Sequence, residues 1–84
     1  MSPYEIEVGK TYHNGNRGKR GTARKVLEMG VSVQHWDMYN TVSNTGVRFL
    51  QVKGPYAGEE FTIPLKSFAK WAKGELEDGE SHEQ

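Results

Sequence analysis

Short stretches of apolar–polar alternation, separated by glycine-containing turns, run through most of this chain and confine it to a small β-rich fold. Tyr4, Ile6 and Val8 alternate with Glu5 and Glu7, the period-two signature of a half-buried strand. Gly9-Lys10 permits a turn before Thr11-Tyr12-His13. Strand character resumes from Thr22 to Met29, with a break expected at Gly30, and returns in Val31 to Trp36. Asn44-Thr45-Gly46 and Gly54-Pro55-Tyr56-Ala57-Gly58 read as turns on either side of a β segment from Val47 to Val52. Glu60 to Ile63 alternates once more into Pro64, where the loss of a ladder donor should end the strand.

At Leu65 the period changes. Leu65, Phe68, Ala69, Ala72 and Leu76 share one helical face, with Lys66, Lys70 and Lys73 in a stripe beside it and Trp71 on the opposite flank. Pro64 or Ser67 suits the start of this helix and Gly74 its end, which predicts a helix over about residues 65–74. Four or five short strands and one terminal helix predict a mainly β (α+β) fold: a bent antiparallel sheet closed into an SH3-like barrel, with an α+β roll on a flat sheet as the second choice. The expected organisation is one domain over residues 1–76 and an acidic, disordered tail over 77–84.

The chain has 84 residues and no cysteine, so neither disulfides nor a cysteine-based zinc site can reinforce a core that buries only about 60–65% of the unfolded surface. Met1 to Glu5 lacks the basic and apolar regions of a signal peptide, and no apolar run approaches the ~20 residues that span a bilayer. A soluble, cytoplasmic protein with no membrane partner is the expectation.

Net charge is zero, but its distribution is lopsided. Lys10, Arg17, Lys19, Arg20, Arg24 and Lys25 are six of the eleven basic residues, and no acid interrupts the run from Lys10 to Lys25. Glu75, Glu77, Asp78, Glu80 and Glu83 make the C-terminal end acidic. At the centre of the basic run, Gly15, Gly18 and Gly21 alternate with cations. Glycines let backbone N–H groups approach phosphates closely, and arginine supplies a planar fork for two oxygens. A flexible cationic loop of this kind suits nucleic acid or another polyanion. It equally serves as a solvated hairpin loop or as a contact for an acidic protein face.

Motifs for other chemistry fail on spacing. Gly9-Lys10-Thr11 ends like a phosphate-binding Walker loop, but the required earlier glycine is absent, because Tyr4 stands there. Glu59 and Glu60 are adjacent and would point to opposite faces of a strand, a poor acid–base pair. His35 and Asp37 share a face only if their strand continues, and His13 and His82 add no matching spacing, so neither metal nor other cofactor is expected. The protein reads as a non-enzyme. Phe61 and Phe68 are assigned to the core, while Trp36, Tyr39 and Tyr56 lie beside loops, where aromatic rings can stack on bases or anchor a protein partner.

Gly9-Lys10-Thr11-Tyr12, the β-rich middle and Ile63-Pro64-Leu65-Lys66-Ser67-Phe68-Ala69-Lys70-Trp71 together give a layout that resembles short uncharacterised phage and prophage proteins. These open on a G-x-x-Y strand and close on a strand followed by a Phe-x-x-Trp helix. The resemblance covers most of residues 8–76 and implies a small barrel, with roles in nucleic-acid handling or interference with host enzymes. The expected function is therefore a non-enzymatic nucleic-acid (polyanion) binding module, in which Lys10, Arg17, Lys19, Arg20, Arg24 and Lys25 contact phosphates and Trp36 or Tyr39 stacks on a base. The alternatives are a protein-interaction module, such as a phage-encoded inhibitor of a host enzyme, and a small phage structural component.

Overall fold

A computed structural model of the chain describes residues 1–16, 21–34 and 41–76. Five antiparallel strands form one sheet: β1 (Thr11–His13), β2 (Ala23–Gln34), β3 (Val42–Lys53), β4 (Glu60–Pro64) and β5 (Gly74–Leu76). Their order is β4-β3-β2-β1-β5. A single helix, α1 (Leu65–Trp71), joins β4 to β5 across one face. Among the described residues no helix is long and apolar enough to cross a membrane.

The sheet is open, which corrects the expected SH3-like barrel. β4 and β5 are its two edges and do not pair with each other. Closure would need neighbours of comparable length, yet β1 and β5 have three residues each against twelve in β2 and β3. The distal tip of the β2–β3 hairpin, with the Val33–Ser43 and Gln34–Val42 pairs, therefore runs beyond the rest of the sheet, and the molecule measures 44 × 24 × 19 Å.

Two glycines explain why this hairpin is longer than expected. Gly30, with φ of 76°, is an extra residue on β2 between the Met29–Val47 and Val31–Gly46 pairs, so the strand bulges and continues where a break was expected. Gly46 lies inside β3 rather than in a turn. A Cβ there would sit 2.6 Å from both the Val31 carbonyl oxygen and Val33 Cγ1, so only glycine allows the two strands this approach.

The N-terminal alternation does not form a strand. Ser2 and Glu5 make a reciprocal cap around a 3-10 turn over Pro3–Glu5, with proline at its start. The backbone that follows is satisfied by a side chain: the Tyr12 hydroxyl donates to the Glu5 carbonyl (3.0 Å) and accepts from the Glu7 N–H (2.8 Å). Tyr12 is wholly buried, and its ring meets Phe68 edge-on at 5.8 Å. Phe68, Ala69 and Ala72 of the helical segment close the core over Val26, Val47 and Phe49, matching the apolar face read from the period. Phe61, by contrast, sits on edge strand β4 and stays 38% exposed.

α1 stops earlier than the expected 65–74. Ala72 turns into extended backbone (φ −71°, ψ 128°), and Gly74 begins β5 instead of capping the helix. Gly74 lies against the His13 ring, where a Cβ would come within 2.6 Å of Nε2.

Candidate nucleic-acid interface

The stem of the basic loop is built by local polar contacts. Asn14 Oδ1 accepts from the backbone N–H groups of Asn16 (3.1 Å) and Thr22 (3.3 Å), so one side chain ties the two ends of the loop together. His13 Nδ1 accepts from the Gly15 N–H at 3.0 Å, and Gly15 takes φ of 84°, a conformation that favours glycine. Arg17, Lys19 and Arg20 lie outside the described residues, as do Trp36, Tyr39 and the acidic segment 77–84.

Tertiary contacts bring the loop stem to the end of the helical segment. The His13 carbonyl accepts from the Lys73 N–H at 2.8 Å. Gly15 faces the Lys73 side chain so closely that a Cβ would lie 3.2 Å from its Cβ and Cγ. The stem of the loop and the last member of the lysine stripe, far apart in sequence, are thus neighbours.

Arg24 is the most constrained cation there. Its guanidinium carbon lies 4.1 Å from the centroid of the Trp71 ring and 4.6 Å from that of Phe49. Nε donates to Gln51 Oε1 at 3.3 Å. Gln51 is itself buried, and its Nε2 donates to the Lys53 carbonyl at 3.0 Å, which fixes the acceptor. Among the described residues no carboxylate pairs with Arg24 and no acceptor meets its two Nη groups. Burial pushes its pKa down from the ordinary value, although a guanidinium keeps its charge throughout the physiological range. Aromatic contacts and one hydrogen bond therefore hold a charged fork in place, with no partner for its outer donors among the described residues.

The other described cations of the basic run are placed differently. Strand pairing puts Arg24 beside Gln51 and Tyr12 on the face covered by α1. Lys25 pairs with Thr11 and Leu50 on the opposite face, where Arg48 bridges Glu28 and Glu60. Lys10 reaches Glu7 (2.6 Å) and Glu75 (3.3 Å) and so links the N-terminal segment to β5. Hydrogen bonds to Glu7 first, then to Glu75, push its pKa up. The fold thus gathers Arg24, the loop stem and Lys73, and leaves Lys10 and Lys25 outside that group.

Three features of this surface had only partial sequence signals. Gln51 reads as an ordinary strand polar residue, and its clamping role depends on the cross-strand pair with Arg24. Trp71 was legible as a flank residue without a partner. Tyr56 and Phe61, 62% and 38% exposed, form an edge-to-face pair at 6.1 Å beside Phe49, and Phe61 had been assigned to the core. Elsewhere, an apolar cleft of about 470 Å³ lies between Pro3, Tyr4, Pro64 and Leu65 at the start of α1, away from Arg24 and Trp71 at its end. Among the described residues no three histidine, aspartate or glutamate side chains gather as a metal site.

Compared with protein-family models, with curated proteins and with solved structures, the chain matches none.

Proposed function

We propose that this protein is a non-enzymatic module that binds a polyanion, nucleic acid in particular, at the end formed by the basic loop, Arg24 and Lys73. The observation that carries this reading is the Arg24 guanidinium, held between Trp71 and Phe49 with both Nη groups unengaged among the described residues. A fork held rigid before binding loses little conformational entropy when it grips two phosphate oxygens. Gly15 and Lys73 meet at the stem of the loop that follows β1, the strand paired with Arg24, and Arg17, Lys19 and Arg20 follow Gly15 in the basic run. On this reading the protein is a phage or prophage accessory protein that handles nucleic acid in the cytoplasm of its host.

The test is fluorescence anisotropy with labelled oligonucleotides between about 50 and 200 mM salt, where non-specific complexes have Kd values of about 10⁻⁴–10⁻⁶ M. Three to four phosphate contacts give a log–log salt slope of about −2 to −4, depending on strandedness. Changing Arg17, Lys19 and Arg20 together to Ala should abolish binding while the melting curve is kept. Undiminished affinity in that triple variant would remove the loop from the interface.

A second reading, a protein-interaction module such as an inhibitor of a host enzyme, draws on the opposite end. Tyr4 is 96% exposed beside the apolar cleft, and aromatic side chains are favoured anchors at protein interfaces. Stoichiometric, nuclease-insensitive capture of one host protein that is lost in Tyr4→Ala would support it.

A further inference from the structure

A cationic surface alone does not distinguish duplex from single-stranded nucleic acid, because both present phosphates. Exposed rings do, since the faces of paired bases are buried in their own stack and those of a single strand are available. α1 begins directly after Pro64, which pairs with Gly46 of β3, and the segment after the helix meets β1 at His13. The helix therefore crosses its face diagonally and leaves one corner of the sheet open.

A chain of ring contacts runs from that corner, through buried Phe49, to one cation. Trp71 contacts the Arg24 guanidinium at 4.1 Å, and Arg24 contacts Phe49 at 4.6 Å. Phe49 lies 5.8 Å from Phe61, which lies 6.1 Å from Tyr56 at an interplanar angle of 76°. Because the last two rings meet edge to face, neither covers the other by stacking. Both remain substantially exposed on the edge strand and the turn before it. Exposed rings on this edge and, across buried Phe49, a half-buried cation with no carboxylate partner among the described residues supply the two requirements of a single-strand site: stacking platforms and a phosphate anchor.

Resting on the polyanion reading above, we infer that the ligand is a single-stranded nucleic acid, with a phosphate in the Arg24 fork and adjacent bases stacked on Phe61 and Tyr56. The β4 edge, and not the basic loop alone, then sets the strand preference.

The experiment compares four labelled probes of equal length at about 50 mM salt: oligo-dT, oligo-rU, an abasic strand and a blunt duplex. Oligo-dT or oligo-rU should bind about tenfold or more tighter than the abasic strand, the effect expected from stacking one or two bases. Whichever wins identifies the sugar. Tyr56→Ala combined with Phe61→Leu should reduce that strand to the abasic level and leave abasic binding unchanged. The comparison of wild-type affinities stands even if the double variant is less stable, and Tyr56→Ala alone alters only an exposed side chain.

Abasic or duplex probes binding as tightly as the base-bearing strands would overturn the inference while leaving the polyanion reading intact. Retention of the full advantage in the double variant would do the same. No binding of any probe would overturn both.

Discussion

The Arg24 guanidinium and the Trp71 ring lie 4.1 Å apart although 47 positions separate them in the chain. This contact joins the basic run to the C-terminal helix and seats one of its cations against an aromatic ring. Its consequences distinguish structural from ligand-binding roles.

Arg24→Lys keeps the charge and removes the planar fork. Affinity for single-stranded oligonucleotides should fall several-fold, and stability by about 1 kcal/mol from the weakened ring contacts. Anisotropy and urea denaturation measure the two effects separately. A loss of stability with unchanged affinity would mean that Arg24 serves the fold alone.

Removing cations one at a time should separate the group the fold gathers from those it does not. Lys73→Ala is expected to make the salt slope shallower by about 0.7 on a single strand. Lys10→Ala and Lys25→Ala should leave it nearly unchanged, because Lys10 already meets two carboxylates and Lys25 occupies the opposite face. Equal effects from all three would indicate a ligand that wraps both faces.

The hairpin depends on its glycines for different reasons. Gly46→Ala forces a Cβ to within 2.6 Å of the Val31 carbonyl oxygen, and should cost about 1–3 kcal/mol as an overpacking strain. At Gly30 there is room, with the nearest atom 3.9 Å away, but φ is 76°. Gly30→Ala should therefore cost about 1 kcal/mol through backbone strain. Urea midpoints in that order, wild type, Gly30→Ala, Gly46→Ala, would check the assignment.

Alkaline pH should destabilise the fold through Tyr12 and Lys10. Burial raises the Tyr12 pKa, and hydrogen bonds to Glu7 and then Glu75 raise that of Lys10. Each group holds its proton more tightly in the folded chain than in the unfolded one. The stabilisation is complete below their ordinary values of about 10 and is lost as pH rises through the folded values. The melting temperature should therefore decline above about pH 10, and less steeply in Tyr12→Phe, which also loses about 1 kcal/mol at neutral pH by stripping the Glu7 N–H of its acceptor. Identical alkaline slopes in both proteins would rule out Tyr12 as a contributor.

Much of the local structure was legible from residue order. The strand at Glu60–Pro64 and the buried face of Phe68, Ala69 and Ala72 followed from their periods. The 3-10 turn at Pro3–Glu5 was not read, because the alternation of Tyr4, Ile6 and Val8 suggested a strand instead. That alternation lost because the Tyr12 hydroxyl, from another element, satisfies the backbone at Glu5 and Glu7. For the site, charge and glycine spacing identified the loop and Arg24 as candidates, and adjacency in an expected strand already put Arg24 and Lys25 on opposite faces, but not which of the two faces α1 covers.

By itself the sequence determined most of the strand segments, the helix and the location of the positive charge, because period, turn chemistry and charge density are properties of a few adjacent residues. Tertiary structure alone decided that the sheet stays open, that Lys10 is paired, and that Arg24 is held beside Trp71 with an exposed aromatic edge nearby. Each of these depends on register between distant strands, where a bulge such as that at Gly30 changes which residues face each other.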